Sequence, residues 1–169
     1  MTRFDDLVVT KWGARFQGRR VRCAVGRGGI GAKSGEGDNV TPRGTWHLAE
    51  VWQRPDRIRL THSALKTQQI GPADIWSDDP ADPAYNAHRK AICGYDYSHE
   101  VLRRADPMYD IFAVTNFNWP KPKPGAGSAI FLHVWKKPRH PTAGCVAFNL
   151  DDLVHILARW TTRSRLVIR

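Results

Sequence analysis

Two side chains in the last third of the chain, Cys145 and His133, are the residues whose types and spacing could do chemistry. The histidine ends an apolar run, residues 129–132, and the cysteine follows twelve residues later beside a second apolar run, residues 146–148. A thiol and an imidazole at the ends of two strands are typical of a nucleophile and its base. A free thiol has a pKa of about 8.5, so a histidine that accepts its proton raises the thiolate fraction. The spacing therefore predicts a cysteine nucleophile.

The residues that surround this pair extend the prediction. Gly144 lets the backbone come close to a reacting carbonyl, and the N–H groups of Gly144 and Cys145 would form an oxyanion hole. His140 lies between Lys137-Pro138 and Pro141 in a basic loop and is a second choice of base or a substrate-side residue. The spacing of His133, His140 and Cys145 matches no ordinary zinc site. We expect no metal and no cofactor.

The other two cysteines carry no such signal. Cys23 lies in an alternating strand and Cys93 between Ile92 and Gly94, so both are interpreted as structural residues. An odd, scattered set of three cysteines favours a reducing compartment over a disulfide framework. The first 20 residues contain acids and no apolar run of signal-peptide length, and nowhere do 18 apolar residues follow one another. These features predict a cytoplasmic protein without a membrane partner.

Length and composition indicate one domain over residues 1–169. The chain is 41% hydrophobic with seven Trp, which is enough for a core, and its formal net charge of +10 calls for an anionic partner. Lys and Arg are spread over the whole length, and no groove-reading motif accompanies them. The sequence therefore predicts no dedicated nucleic-acid site, and it leaves the oligomeric state open.

The dominant hydrophobic period is two, which favours a mainly β protein. Strands are predicted at the following segments: 7–9, 21–25, 46–52, 57–61, 110–115, 129–132, 146–148 and 166–168. Residues 70–97 are rich in Pro, Asp and Trp and are predicted to form a long ordered loop. One helix is expected after Cys145, with Asn149 as its N-cap and Leu153, Val154 and Leu157 on its apolar face.

A formal G-x-G-x-x-G stands at residues 26–31, directly after a strand. A dinucleotide-binding fold needs a helix to begin there, and Gly35, Gly37 and Pro42 make a helix unfavourable. The segment is therefore interpreted as a glycine-rich turn.

The block from His133 to Val146 resembles the catalytic end of the YkuD-like L,D-transpeptidases, which carry an upstream His and a Ser/Thr-x-Gly-Cys-Val element. Here that element is Thr142-Ala143-Gly144-Cys145-Val146. The segments 33–38 and 41–46 are similar to the family's amino-proximal "TP-x-G-T-aromatic" stretch. The segments 78–80, 85–86, 98–100 and 109–110 are similar to a compact single-domain branch of the family. The resemblance implies a YkuD-type fold, with mixed β-sheets and one or two helices, one of them after the catalytic Cys.

The resemblance also implies a function. Cys145 would attack the L,D peptide bond of a peptidoglycan stem tetrapeptide or soluble muropeptide, with His133 as base and Gly144 in the oxyanion hole. Release of D-Ala by water would make the protein an L,D-carboxypeptidase of murein recycling. Transfer to an amine would make it an L,D-transpeptidase. Outside the family, the alternative is a basic binding module with a dead site.

Two positions depart from the family pattern. Many members have a His before the Gly of the cysteine element and an Arg or Asn two residues after the Cys, where this chain has Ala143 and Ala147. Cations of the basic loop would then bind the substrate carboxylate, since guanidinium groups pair with carboxylates through two bonds. The candidate substrate-binding residues are Thr142, Ala143, Arg139, His140 and Trp135, with Lys136 and Lys137 as further cations.

Overall fold

The protein is described from a computed structural model that covers residues 1–169. The chain is mainly β, with a single α-helix and one 3-10 turn at Pro107–Tyr109. Its first eight strands are β1 Leu7–Thr10, β2 Gly13–Phe16, β3 Arg19–Val21, β4 Cys23–Ala24, β5 Ile30–Gly31, β6 Thr41–Pro42, β7 Gly44–Trp46 and β8 Leu48–Gln53. The other eight are β9 Lys66–Gln69, β10 Asp74–Ser77, β11 His88–Lys90, β12 His99–Val101, β13 Ile111–Thr115, β14 Phe131–Val134, β15 Val146–Phe148 and β16 Leu166–Ile168.

Two sheets enclose the main core. One has the order β3-β2-β1-β16-β7, and the other has the order β4-β15-β14-β13-β8-β9. Both are mixed, because β1 runs parallel to β16 and β14 runs parallel to β15. The alternation of each strand sends one row of apolar side chains between the sheets, where twenty buried residues form one cluster. The fold class expected from the sequence, mainly β with mixed sheets, is confirmed.

The helix after Cys145, α1, spans Leu150–Ala158. Asn149 is its N-cap, and the Asn149 side chain accepts from the N–H of Asp152 at 2.7 Å. The helix buries Leu153 and Leu157 against the main core, as predicted, and Ile156 lies on the same side. Val154, also predicted on this face, is only partly buried and lies outside the core cluster. Because α1 directly follows β15, its packing on the core holds β15, the strand that begins after Cys145, in place.

The segment predicted as a long loop, residues 70–97, was wrongly interpreted. With residues up to Val101 it forms a three-stranded sheet of order β11-β10-β12. The carboxylate of Asp74 accepts from Lys90 and contacts His88, each at 3.0 Å, and the indole N–H of Trp76 donates to Asn86 at 2.9 Å. These polar side chains join β10 to its neighbouring segments. Their sequences therefore show no hydrophobic alternation by which the strands could be predicted.

The strand predicted at residues 57–61 is absent. The N–H groups of Arg57 and Ile58 both donate to the carbonyl of Arg54, and the N–H of Leu60 donates to the side chain of Gln53. These hydrogen bonds close a local turn, so the segment makes no strand-to-strand hydrogen bonds. The edge strand of this region is β9, a polar strand parallel to β8. The predicted strand over residues 21–25 is interrupted at Arg22 and divides between β3 and β4.

Candidate active site

Cys145 and His133 lie on the same face of one sheet. The strands β14 and β15 run parallel, with Leu132 opposite Val146 and His133 opposite Ala147. Because side chains alternate along a strand, Cys145, Ala147, Phe131 and His133 point away from the main core. Both Cys145 and His133 line a cavity of about 480 Å³. The topology therefore brings the two predicted residues to one site.

The thiol of Cys145 is held by backbone groups. It donates to the carbonyl of Ala129 at 3.0 Å and accepts from the N–H of Phe131 at 3.3 Å. Ala129 has a φ of +49°, a left-handed conformation that is costly for a residue with a Cβ. The side chain of Asn86 accepts from the N–H of Ala129 at 3.0 Å and stabilises this conformation. The resting thiol proton therefore points to Ala129 and not to His133.

The imidazole of His133 is buried and has a defined tautomer. Its Nδ1 lies 2.8 Å from the carbonyl oxygen of Val134. Since a carbonyl only accepts, Nδ1 carries the proton and Nε2 keeps a free lone pair. The ring packs edge-on against Tyr109, with centroids 5.5 Å apart. Burial lowers the pKa of His133 to about 4, so the imidazole is neutral at pH 7.

The electrostatics of the thiol favour its protonated form. Cys145 is partly exposed in the cavity wall, yet desolvation raises the pKa of its thiol to about 12. The N–H of Phe131 and the ammonium of Lys33 act in the opposite direction, and the carboxyl group of Glu100 adds to the increase. The resting pair is therefore a neutral thiol and a neutral imidazole, and the imidazole has a free lone pair on Nε2.

The turn before Cys145 approaches other backbone closely at Gly144. Gly144 has a φ of +144°, and a Cβ there would lie 3.0 Å from the carbonyl oxygen of Val40. The N–H of Gly144 donates to the hydroxyl of Thr142 at 3.1 Å, and that hydroxyl donates to the carbonyl of Cys145 at 2.6 Å. The N–H of Cys145 has no acceptor in the protein. The N–H of Cys145 is therefore free to donate to an oxyanion, whereas the N–H of Gly144 would first have to give up Thr142.

The remaining predicted substrate-side residues divide into two groups. Thr142, Ala143 and His140 line the cavity with Cys145. Arg139 and Trp135 do not. Arg139 has a left-handed φ of +58° and lines a separate groove, where its guanidinium lies 3.4 Å from the carbonyl oxygen of Trp12.

Several cavity residues were not among the sequence candidates. The charged ones are Arg27, Lys33, Glu36, Asp78, Glu100 and Arg104. The hydroxyl of Tyr109 donates to Glu100 at 3.2 Å, and burial together with the charge of Asp78 raises the pKa of Glu100. Lys33, Asp78, Glu100 and Tyr109 lie in segments similar to the family, which was the available signal. Glu100 and Tyr109 lie far from Cys145 in sequence, and only the fold brings them to the cavity.

A scan against known protein families matches residues 6–168 to YkuD, the L,D-transpeptidase catalytic domain. The chain belongs to the YkuD family. It matches none of the curated proteins and none of the solved structures with which it was compared. At the level of the family, this YkuD protein is an L,D-transpeptidase-type cysteine acyltransferase, and peptidoglycan peptides are the partners of the family.

The structure contains no group of three or more His, Cys, Asp or Glu side chains placed to hold a metal ion. None of its helices is both long enough and apolar enough to cross a membrane.

Proposed function

We propose that the protein is an L,D-carboxypeptidase that removes the terminal D-Ala from peptidoglycan stem tetrapeptides, with Cys145 as nucleophile and His133 as base. The observation that carries the proposal is the shared cavity of the two side chains, with the Nδ1 of His133 bound to Val134 and its Nε2 free. This arrangement supports proton transfer from the thiol to Nε2 once the thiol turns away from Ala129.

In the acylation step, the sulfur of Cys145 bonds to the carbonyl carbon of residue three as its proton passes to His133 Nε2. The free N–H of Cys145 donates to the oxyanion that forms. The carbon–nitrogen bond then breaks, and the imidazolium returns the proton to the departing amine of D-Ala. Arg104 and Lys136 line the cavity and supply positive charge for the D-Ala carboxylate in place of Arg139.

In the second step, a water molecule gives a proton to His133 and attacks the thioester. The carbon–sulfur bond breaks, and the thiol regains its proton as the tripeptide leaves. The lining at Ala143 and Ala147 supports water as the acceptor, because methyl groups offer no hydrogen bond to hold an acceptor amine. Transfer to an amine, giving a 3-3 crosslink or an exchanged D-amino acid, is the alternative within the family.

The test is to incubate the protein with a disaccharide tetrapeptide and to resolve the products by mass. The proposal expects tripeptide and free D-Ala in equal amounts, and no product from Cys145→Ala. A dimer, or an adduct with an added D-amino acid, would assign the transpeptidase activity. No turnover by the wild type, or equal turnover by Cys145→Ala, would refute the site.

We also propose that residues 1–169 act as one catalytic domain. The pairing of β1 with β16 supports this, because it joins both ends of the chain in one sheet. The prediction of a cytoplasmic location stays open.

A further inference from the structure

The ammonium group of Lys33 is buried beside the reacting sulfur. Its side chain is 3% exposed, and it lines the cavity that contains Cys145. A Cβ built on Gly144 would lie 3.6 Å from Lys33 Nζ, so the charge lies next to the turn that carries Cys145. A buried charge is costly unless a partner compensates for it, so its position requires an explanation.

The partner of Lys33 satisfies only part of the ammonium. Lys33 Nζ donates to Asp38 at 2.6 Å, which is its one hydrogen bond in the protein, although an ammonium has three N–H donors. Asp38 is fixed from behind by the N–H groups of Ser34 at 2.7 Å and Val40 at 2.9 Å. Lys33 lines the cavity and Asp38 does not. The pair is therefore oriented, with its positive end toward the cavity.

The path of the Lys33 side chain also fixes its position. It passes Gly127, where a Cβ would lie 2.3 Å from Lys33 Cε. A side chain at Gly127 would displace the ammonium, so the glycine holds open the channel through which Lys33 reaches the cavity.

We propose that Lys33 is a positioning residue whose fixed positive charge stabilises the anion formed at Cys145 during attack. The pair with Asp38 keeps the charge in place, and two of the three N–H donors have no partner in the protein. The charge opposes the desolvation that otherwise keeps the thiol protonated. Lys33 also supplies positive charge where the N–H of Gly144 is occupied by Thr142.

Other charged and titratable groups line the same cavity and contribute to the electrostatic environment of the Cys145 sulfur. Glu100 raises the pKa of the thiol, while His133 and Tyr109 are buried and line the same cavity. The other groups that line the cavity are Arg27, Glu36, Asp78, Arg104, Lys136 and His140. Lys121 is exposed and does not line the cavity, so it provides a matched control for Lys33, since the same substitution there removes a solvated charge.

The test uses alkylation of Cys145 in a Cys93→Ser background, with the modified peptide quantified by mass. In this reaction the sulfur displaces iodide from the reagent, and the thiol proton goes to solvent. Neutral iodoacetamide reports the thiolate fraction, and anionic iodoacetate reports in addition the local positive charge. Lys33→Met should slow iodoacetamide at pH 8 about tenfold, equal to one pKa unit. It should slow iodoacetate more, so the ratio of the two rates falls about threefold or more.

Removal of Lys33 alone leaves Asp38 buried, so Lys33→Met combined with Asp38→Asn is the second variant. It should also lower the ratio, whereas Lys121→Met should change it less than about twofold because water screens an exposed charge. An unchanged ratio in a folded Lys33 variant, or an equal fall in Lys121→Met, would overturn the proposal. Failure of both Lys33 variants to fold would also overturn it, by assigning the ion pair to stability.

This inference rests on the proposed role of Cys145, but alkylation requires neither a peptidoglycan peptide nor proton transfer to His133. Its failure is therefore distinguishable from failure of the proposed function.

Discussion

Replacement of Asn86 by Ala should destabilise the protein strongly, because this buried amide holds the segment that contacts the thiol. The Asn86 side chain accepts from Trp76 Nε1 at 2.9 Å and from the N–H of Ala129 at 3.0 Å, and it donates to the carbonyl of Asn118 at 2.7 Å. Each lost hydrogen bond costs about 1 kcal/mol, and each buried group left without a partner adds to this. The three bonds account for about 3 kcal/mol, and the groups left without a partner bring the total to about 4 kcal/mol.

For a protein of this size, that loss corresponds to a fall in Tm of about 10 °C. Thermal denaturation followed by circular dichroism measures it, with Gln69→Ala as a control that removes an exposed amide from β9. The control should change the free energy of unfolding by less than about 0.5 kcal/mol. Hydrogen exchange at the N–H of Ala129 should also accelerate in Asn86→Ala. A Tm within about 2 °C of the wild type would refute the assigned role of Asn86.

Three further predictions concern the turn, the ends of the chain and the other thiols. Gly144→Ala should cost about 2 kcal/mol of stability and abolish acylation of Cys145, since its φ of +144° disfavours any Cβ. Denaturation measures the first effect and intact-protein mass measures the second. An Ala variant that is still acylated would contradict the geometry. Arg165→Met leaves the buried carboxylate of Asp6 without its cation and should lower the free energy of unfolding at pH 7. Because hydrogen bonds from Arg165 lower the pKa of Asp6, the stability that the pair contributes is present above about pH 4 and is lost as the pH falls further. Urea denaturation of the wild type and the variant at several pH values checks this. A loss of stability that does not depend on pH would argue against the pair. Cys93 is exposed, whereas Cys23 is buried and its pKa is raised to about 12. Iodoacetamide at pH 8 should therefore modify Cys93 before Cys23. Faster modification of Cys23, seen by peptide mapping, would contradict the structure.

The strands and the helix near the candidate site could be predicted because their sequences satisfy local rules. The segments that became β13 and β15 are short apolar runs, and Asn149 followed by two acids marks the start of α1. The three-stranded sheet around Trp76 could not be predicted in this way. Its stability depends on contacts such as Asp74 with Lys90, and these partners are 16 residues apart with no hydrophobic period.

The candidate site shows the same division. Cys145, His133 and Gly144 are close in sequence and carry a motif, so their common location was predictable. Lys33 and Glu100 reach the cavity only through the fold, and no local pattern indicates how they are buried. Arg139 was predicted beside the substrate from its place in the basic loop, but a left-handed backbone directs its side chain to a different groove. Closeness to a catalytic residue in the sequence does not determine where a loop side chain points.

The most direct test of the central claim is acylation by a carbapenem, an electrophile whose carbonyl a reactive thiol can attack. Intact-protein mass followed by peptide mapping locates the adduct. The account predicts one carbapenem per molecule on Cys145, a much slower reaction in His133→Gln, and none in Cys145→Ala. An adduct that persists in Cys145→Ala, or no adduct on the folded wild-type protein, would contradict it.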